Sequence, residues 1–252
     1  MRQKNIGLLA MMRKMQVFSD TKVLTEAAVT LFVDLAAESI EARGQFTAAL
    51  SGGSTPQPLY ESLGSTENMG RVDWKRVHLF WGDERHVPKD HPDSNYRMVR
   101  KELIQNIAIP EGNVHRVPTE LEIHIAAAEY EAELRRFFNG PWPRFDLLLL
   151  GMGKDGHTAS LFPHSNGLKE EQRWFIANYA PKRETWRLTL TINAINAASH
   201  VMVLVSGESK AGMLAEVING PYEPELKPIQ YISPTHGDMH YFVDSEAAIE
   251  LK

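Results

Sequence analysis

The chain has 252 residues, with 27 Lys+Arg against 32 Asp+Glu for a formal charge of -5, 43% hydrophobic residues and no cysteine. This composition excludes global disorder, and an acidic balance without like-charge blocks excludes an electrostatic footprint for nucleic acid or for an anionic membrane. Zero Cys removes disulfides, thiol nucleophiles, Cys-ligated zinc and iron–sulfur clusters, and it fits a reducing, cytoplasmic location.

Residues 1–15 carry a short apolar stretch, Ile6–Met12, followed at once by Arg13 and Lys14 and by no small-residue cleavage site. They read as a loose N-terminal extension, with Met11, Met12 or Met15 as alternative starts. No apolar run approaches the ~20 residues of a membrane span. Beyond residue 15, Leu24, Ala27, Ala28, Leu31, Leu35 and Ala36 form a helical stripe between a capping Asp20/Thr21 and a terminating Gly44. Strand Gln45–Leu50 follows, then an apolar run Val77–Trp81, helices over 94–105 and 124–138, and strand Phe145–Leu150. Strands at Trp174–Tyr179, Arg187–Leu190 and His200–Val205 and a helix over 208–218 complete the pattern. Strands that alternate with helices and are written as continuous apolar runs predict an α/β fold: a three-layer, mainly parallel, Rossmann-like sheet with helices on both faces. There is no internal repeat, and the Pro/Gly-rich stretches at 141–143 and 220–228 are short enough to be connections. Residues 16–252 therefore read as a single domain.

Four polar or glycine-rich clusters begin where apolar strands end: Ser51–Thr55, Gly82–Arg85, Gly151–His157 and Ser206–Lys210. In open parallel sheets ligands bind outside the carboxyl ends of the strands, so these clusters are expected to share one crevice. In the first, Ser51, Gly52, Gly53 and Ser54 precede Thr55, a potential cap, and Pro56, the expected first position of a helix running to Leu63. Free N–H groups there suit a phosphate; the same residues equally describe a tight turn with no ligand. Gly151–Gly156 spells G-x-G-x-x-G, but Pro163 stops any following helix and no acidic ribose ligand ends the next strand, which argues against a dinucleotide.

His157 is the best candidate general base, with Asp155 two residues before it to orient the imidazole or the substrate. Arg85, Arg187 and Lys210 are the cations beside these loops, suited to a doubly charged phosphoryl group. His236 and His240 stand at i,i+4 around Gly237 without a third ligand pattern, so they do not read as a metal site.

Taken together, SGGSTP at 51–56, FWGDERHVP at 80–88, DSNY at 93–96, LGMGKDGHTASLFP at 150–163, RLTLTINAIN at 187–196 and SGESKAGML at 206–214 resemble the glucosamine-6-phosphate isomerase/6-phosphogluconolactonase family on its lactonase branch. The resemblance implies a glucosamine-6-phosphate deaminase/ribose-5-phosphate isomerase/CoA-transferase-like fold and no metal or cofactor. It implies hydrolysis of 6-phospho-D-glucono-1,5-lactone to 6-phosphogluconate, the second step of the oxidative pentose phosphate pathway, with a small phosphosugar lactone as partner and a monomer or homodimer as the working form. It also implies His157 as base with Asp155 beside it, Arg85 and Lys210 toward the phosphate, and Arg187 and the Ser51–Ser54 loop nearby. The deaminase branch resembles DEY at the second strand end and DGHIAFNEP at the third. Here Asp83-Glu84-Arg85 and Thr158-Ala159-Ser160-Leu161-Phe162-Pro163 stand instead, without the downstream Glu. A non-catalytic sugar-phosphate sensor would carry a DNA-binding module, for which the acidic chain offers no basic face.

Overall fold

A computed structural model describes residues 13–251, so most of the expected N-terminal extension lies outside the described residues. Seven parallel strands form the main sheet: β1 (Arg13–Phe18), β2 (Phe46–Leu50), β3 (Val77–Trp81), β5 (Val114–His115), β6 (Leu147–Gly151), β9 (His200–Val205) and β10 (Asp238–Asp244), in the order β1-β10-β9-β6-β2-β3-β5. A second sheet is antiparallel and has the order β4-β8-β7, from β4 (Asp83–Arg85), β8 (Thr185–Leu190) and β7 (Phe175–Ala180). The helices are α1 (Thr21–Arg43), α2 (Gln57–Leu63), α3 (Asn95–Glu102), α4 (Ile123–Phe137), α5 (Ile192–Asn196) and α6 (Ala211–Asn219). None of the helices among the described residues is long and apolar enough to cross a membrane.

The main sheet forms for the reason its sequence suggests. All of β2 and the LLLL of β6 are buried, as parallel strands covered on both faces must be. Helix α1 starts where Asp20 accepts a hydrogen bond from the Val23 amide and stops where Gly44 turns left-handed at φ 81°.

Two features differ from expectation. Residues 13–15 were expected in a loose extension, but they open β1, which pairs in parallel with β10 over its whole length; Phe18 packs edge-on against Phe242 at 5.2 Å. Trp174–Tyr179 and Arg187–Leu190 were expected within the α/β alternation, but they form an antiparallel hairpin beside it. Only residues 181–184 separate β7 from β8, with Glu184 left-handed at φ 49°. A parallel crossover needs a dozen or more residues, so this connection permits only an antiparallel return.

Two buried phenols seal the strand ends next to the site. Tyr60 of α2 accepts from the Ser51 amide at 3.1 Å and donates to the Ser51 carbonyl at 2.8 Å. Tyr130 of α4 accepts from the Trp81 amide at 2.8 Å. Each satisfies backbone groups where neighbouring strands diverge.

Candidate active site

The sheet order places β9, β6, β2 and β3 side by side. Because all four run in parallel, the loops after them lie along one edge, as expected of clusters that follow adjacent strands.

The loop after β6 is closed by its own backbone and one hydroxyl. The Gly153 amide donates to the His157 carbonyl at 2.8 Å, and Thr158 Oγ1 donates to the Gly151 carbonyl at 2.8 Å. Gly156 supplies the left-handed residue at φ 76°. This turn brings Asp155 back onto His157, whose Nδ1 contacts Asp155 Oδ1. The His157 ring also packs on Phe162 with 4.7 Å between centroids. A carboxylate on Nδ1 favours the tautomer with Nδ1–H, which leaves the lone pair on Nε2. Burial works against ionisation of Asp155, but the hydrogen bond and charge of His157 outweigh it and hold the carboxyl well below its usual range.

The loop after β9 reaches the same place. Lys210 Nζ donates to the Met152 carbonyl at 2.7 Å, tying it to the His157 loop. Burial and the nearby Lys154 charge pull the Lys210 ammonium below its ordinary pKa, while Asp155 opposes them.

The loop after β3 is built on buried acids. Ser160 Oγ donates to Asp83 Oδ2 at 2.6 Å, joining this loop to the one after β6. Glu84 is 1% exposed and accepts from the amides of Arg85, Asn95 and Tyr96 at 2.7–2.8 Å. Burial pushes its pKa up to about 7, although these donors favour the carboxylate. Glu84 thereby fixes the start of α3 and the backbone of Arg85.

Arg85 Nη1 donates to the Asp93 carbonyl at 2.7 Å. Across the β4–β8 pair Arg85 stands directly opposite Arg187. Burial and then the Arg85 charge pull the Arg187 guanidinium below its ordinary value. Arg183, from the β7–β8 turn, interacts electrostatically with both Arg187 and Lys210, and its guanidinium lies 5.4 Å from the centre of the Phe162 ring.

The Ser51–Ser54 loop joins through Asn95, whose Nδ2 donates to the Asp83 carbonyl at 2.9 Å. Gly52 lies so close to the Asn95 amide that a Cβ would overlap it, and Gly53 is left-handed at φ 99°. Ser51 is buried and Ser54 exposed. Pro56 is the N-cap of α2 and no side chain caps that helix, so the capping role expected of Thr55 is not filled.

The structure therefore brings His157, Asp155 and Lys210 into one group and Arg85 and Arg187 into another, with Asp83–Ser160 and Arg183 between them and the Ser51–Ser54 loop alongside. Sequence reasoning did not single out Arg183, Lys154, Asn95, Asp83 or Ser160. The available signal was the Lys182-Arg183 pair in a connection too short for a crossover, which folds a hairpin tip back to the strand ends.

A mainly parallel sheet with helices packed on it, carrying an imidazole–carboxylate pair and several cations at its carboxyl edge, defines the class as α/β. A monomeric glucosamine-6-phosphate deaminase shares the fold, with TM-score 0.80 at 19% identity over 94% of this chain and 99% of its own. The chain belongs to the family described as glucosamine-6-phosphate isomerases/6-phosphogluconolactonase, whose model matches residues 19–241. It is 41% identical over 243 residues to a 6-phosphogluconolactonase of Synechocystis sp., covering 95% of this chain and 98% of the relative. A 6-phosphogluconolactonase of Nostoc sp. is 39% identical over 96% of this chain and 99% of its own. Among solved structures, 6-phosphogluconolactonase from Trypanosoma brucei superposes with TM-score 0.85 at 27% identity, covering 95% of this chain and 99% of that one.

Proposed function

We propose that the protein is a cytoplasmic 6-phosphogluconolactonase, hydrolysing 6-phospho-D-glucono-1,5-lactone to 6-phosphogluconate. The observation that carries this reading is the His157–Asp155 pair, with Lys210 bonded to the Met152 carbonyl of the same loop. His157 Nε2 takes a proton from water as the water oxygen attacks the lactone carbonyl. Asp155 steadies the imidazolium so formed. Backbone amides of the glycine-rich loops meet the tetrahedral oxyanion, a contact of the kind typically worth about 10²–10³ in rate. As the carbonyl re-forms, the bond to the ring oxygen breaks and His157 returns its proton to that oxygen. Arg85, Arg187 and Lys210 hold the phosphate, and that binding positions the ring against the base.

Incubation of purified protein with fresh 6-phosphogluconolactone and, separately, with glucosamine 6-phosphate tests the reading. Acid release above the spontaneous rate without ammonia release is expected. Ammonia from glucosamine 6-phosphate would move the chain to the deaminase branch, and no turnover of either would leave a binding protein.

A further inference from the structure

At the opposite edge of the main sheet, the amino ends of β9 and β10 carry a second cluster outside the family's sugar-phosphate site. Asp238 pairs with His200 in register, and His240 lies two residues along β10, so all three side chains share one face. One nitrogen from each imidazole and one Asp238 oxygen lie within 4.8 Å of one another. His240 is 8% exposed. Its Nε2 and the Nδ1 of His200 are both buried and have no hydrogen-bond partner among the described residues. The rings sit 5.7 Å apart and tilted by 33°, so they do not satisfy each other. Buried polar atoms without partners are costly, and the fold gives these two none.

We propose that His200, His240 and Asp238 form a binding site for a divalent first-row transition ion such as Zn2+. Two imidazole nitrogens and one carboxylate oxygen are a borderline donor set that suits Zn2+ and not Ca2+ or Mg2+, and water completes a tetrahedron. Asp238, Glu38 and Asp146 add negative potential at His200. One group competes: Lys14 of β1 faces His240 in register and bridges Asp238 at 3.0 Å. The lysine side chain is 58% exposed and free to swing into solvent when an ion takes its place.

The six residues of β9 separate this cluster from the Ser206–Lys210 loop by about 20 Å. The ion is therefore structural, clamping β9 to β10, and takes no part in the proposed hydrolysis.

The test is a titration of the full chain with Zn2+ by calorimetry, with Co2+ as a spectroscopic probe. One Zn2+ per chain and a tetrahedral Co2+ visible spectrum are expected. His240→Gln and Asp238→Asn should each weaken binding at least about 10-fold. Lys14→Met, which removes the competing ammonium and leaves all three ligands, should tighten it. The absence of saturable binding up to about 1 mM Zn2+ would overturn the proposal. So would full affinity in folded His240→Gln, or an unchanged affinity in Lys14→Met, which keeps the test decisive if the ligand variants fail to fold.

Discussion

At Gly153 the backbone amide holds the His157 carbonyl, and a Cβ would overlap the His157 ring and crowd Asp155. Gly153→Ala should therefore move the imidazole before it disturbs anything else. We expect kcat to fall about 10²-fold, the usual cost of misplacing a reacting group by an ångström, with only about 1–3 kcal/mol lost from unfolding free energy; steady-state kinetics and urea denaturation together check it. His157→Ala should cost at least about 10²-fold in kcat with the melting temperature held, and near-normal turnover would remove His157 as base. Arg85→Ala should raise KM and largely spare kcat, since phosphate binding is common to ground and transition states; an unchanged KM would take Arg85 out of the phosphate site. That the loops carrying His157, Asp155, Arg85 and Lys210 lie along one edge was legible because each loop follows an apolar run. Arg183 was not singled out, because a Lys-Arg pair in a turn is usually solvated, and only the shortness of the connection between residues 180 and 185 marks it as a hairpin tip.

Among the elements, β1 shows how far local pattern reaches. RKMQVF has neither an apolar run nor strict alternation, and Lys14, Gln16 and Val17 are exposed, so its first three residues read as part of a tail. Its structure comes from its partner: β10 is buried over nearly its whole length and presents an edge that something must pair. Deleting 1–18 should expose the β10 edge and Phe242, costing about 2 kcal/mol or more and promoting association visible by light scattering; a monomeric variant of unchanged midpoint would show that β1 contributes nothing. In β7 and β8 the strands were legible and their pairing was not. Both runs are strand-like, and only the length of their connection says which sheet they join.

For the whole molecule, the class of fold and the edge that carries chemistry were readable because β2, β3, β6 and β9 are written as buried parallel strands followed by polar loops. Strand order was not, since sequence fixes what is apolar and leaves open which apolar run lies beside which. The arrangement concentrates positive charge in a chain of net -5. Like charges directly opposite each other on paired strands are destabilising, and Asp83 and Asp93 offset the Arg85–Arg187 repulsion only in part, so a bound anion would relieve the rest. Folding stability should then report on anion supply. The midpoint of thermal unfolding should be higher in phosphate than in chloride of equal ionic strength, the added unfolding free energy reaching about 2.7 kcal/mol at a hundredfold excess over Kd. Arg187→Gln should raise the chloride midpoint while shrinking the phosphate increment. In a cell, the pool of phosphorylated metabolites would act on this protein as a folding ligand as well as a source of substrate, and its lifetime would lengthen when that pool is full.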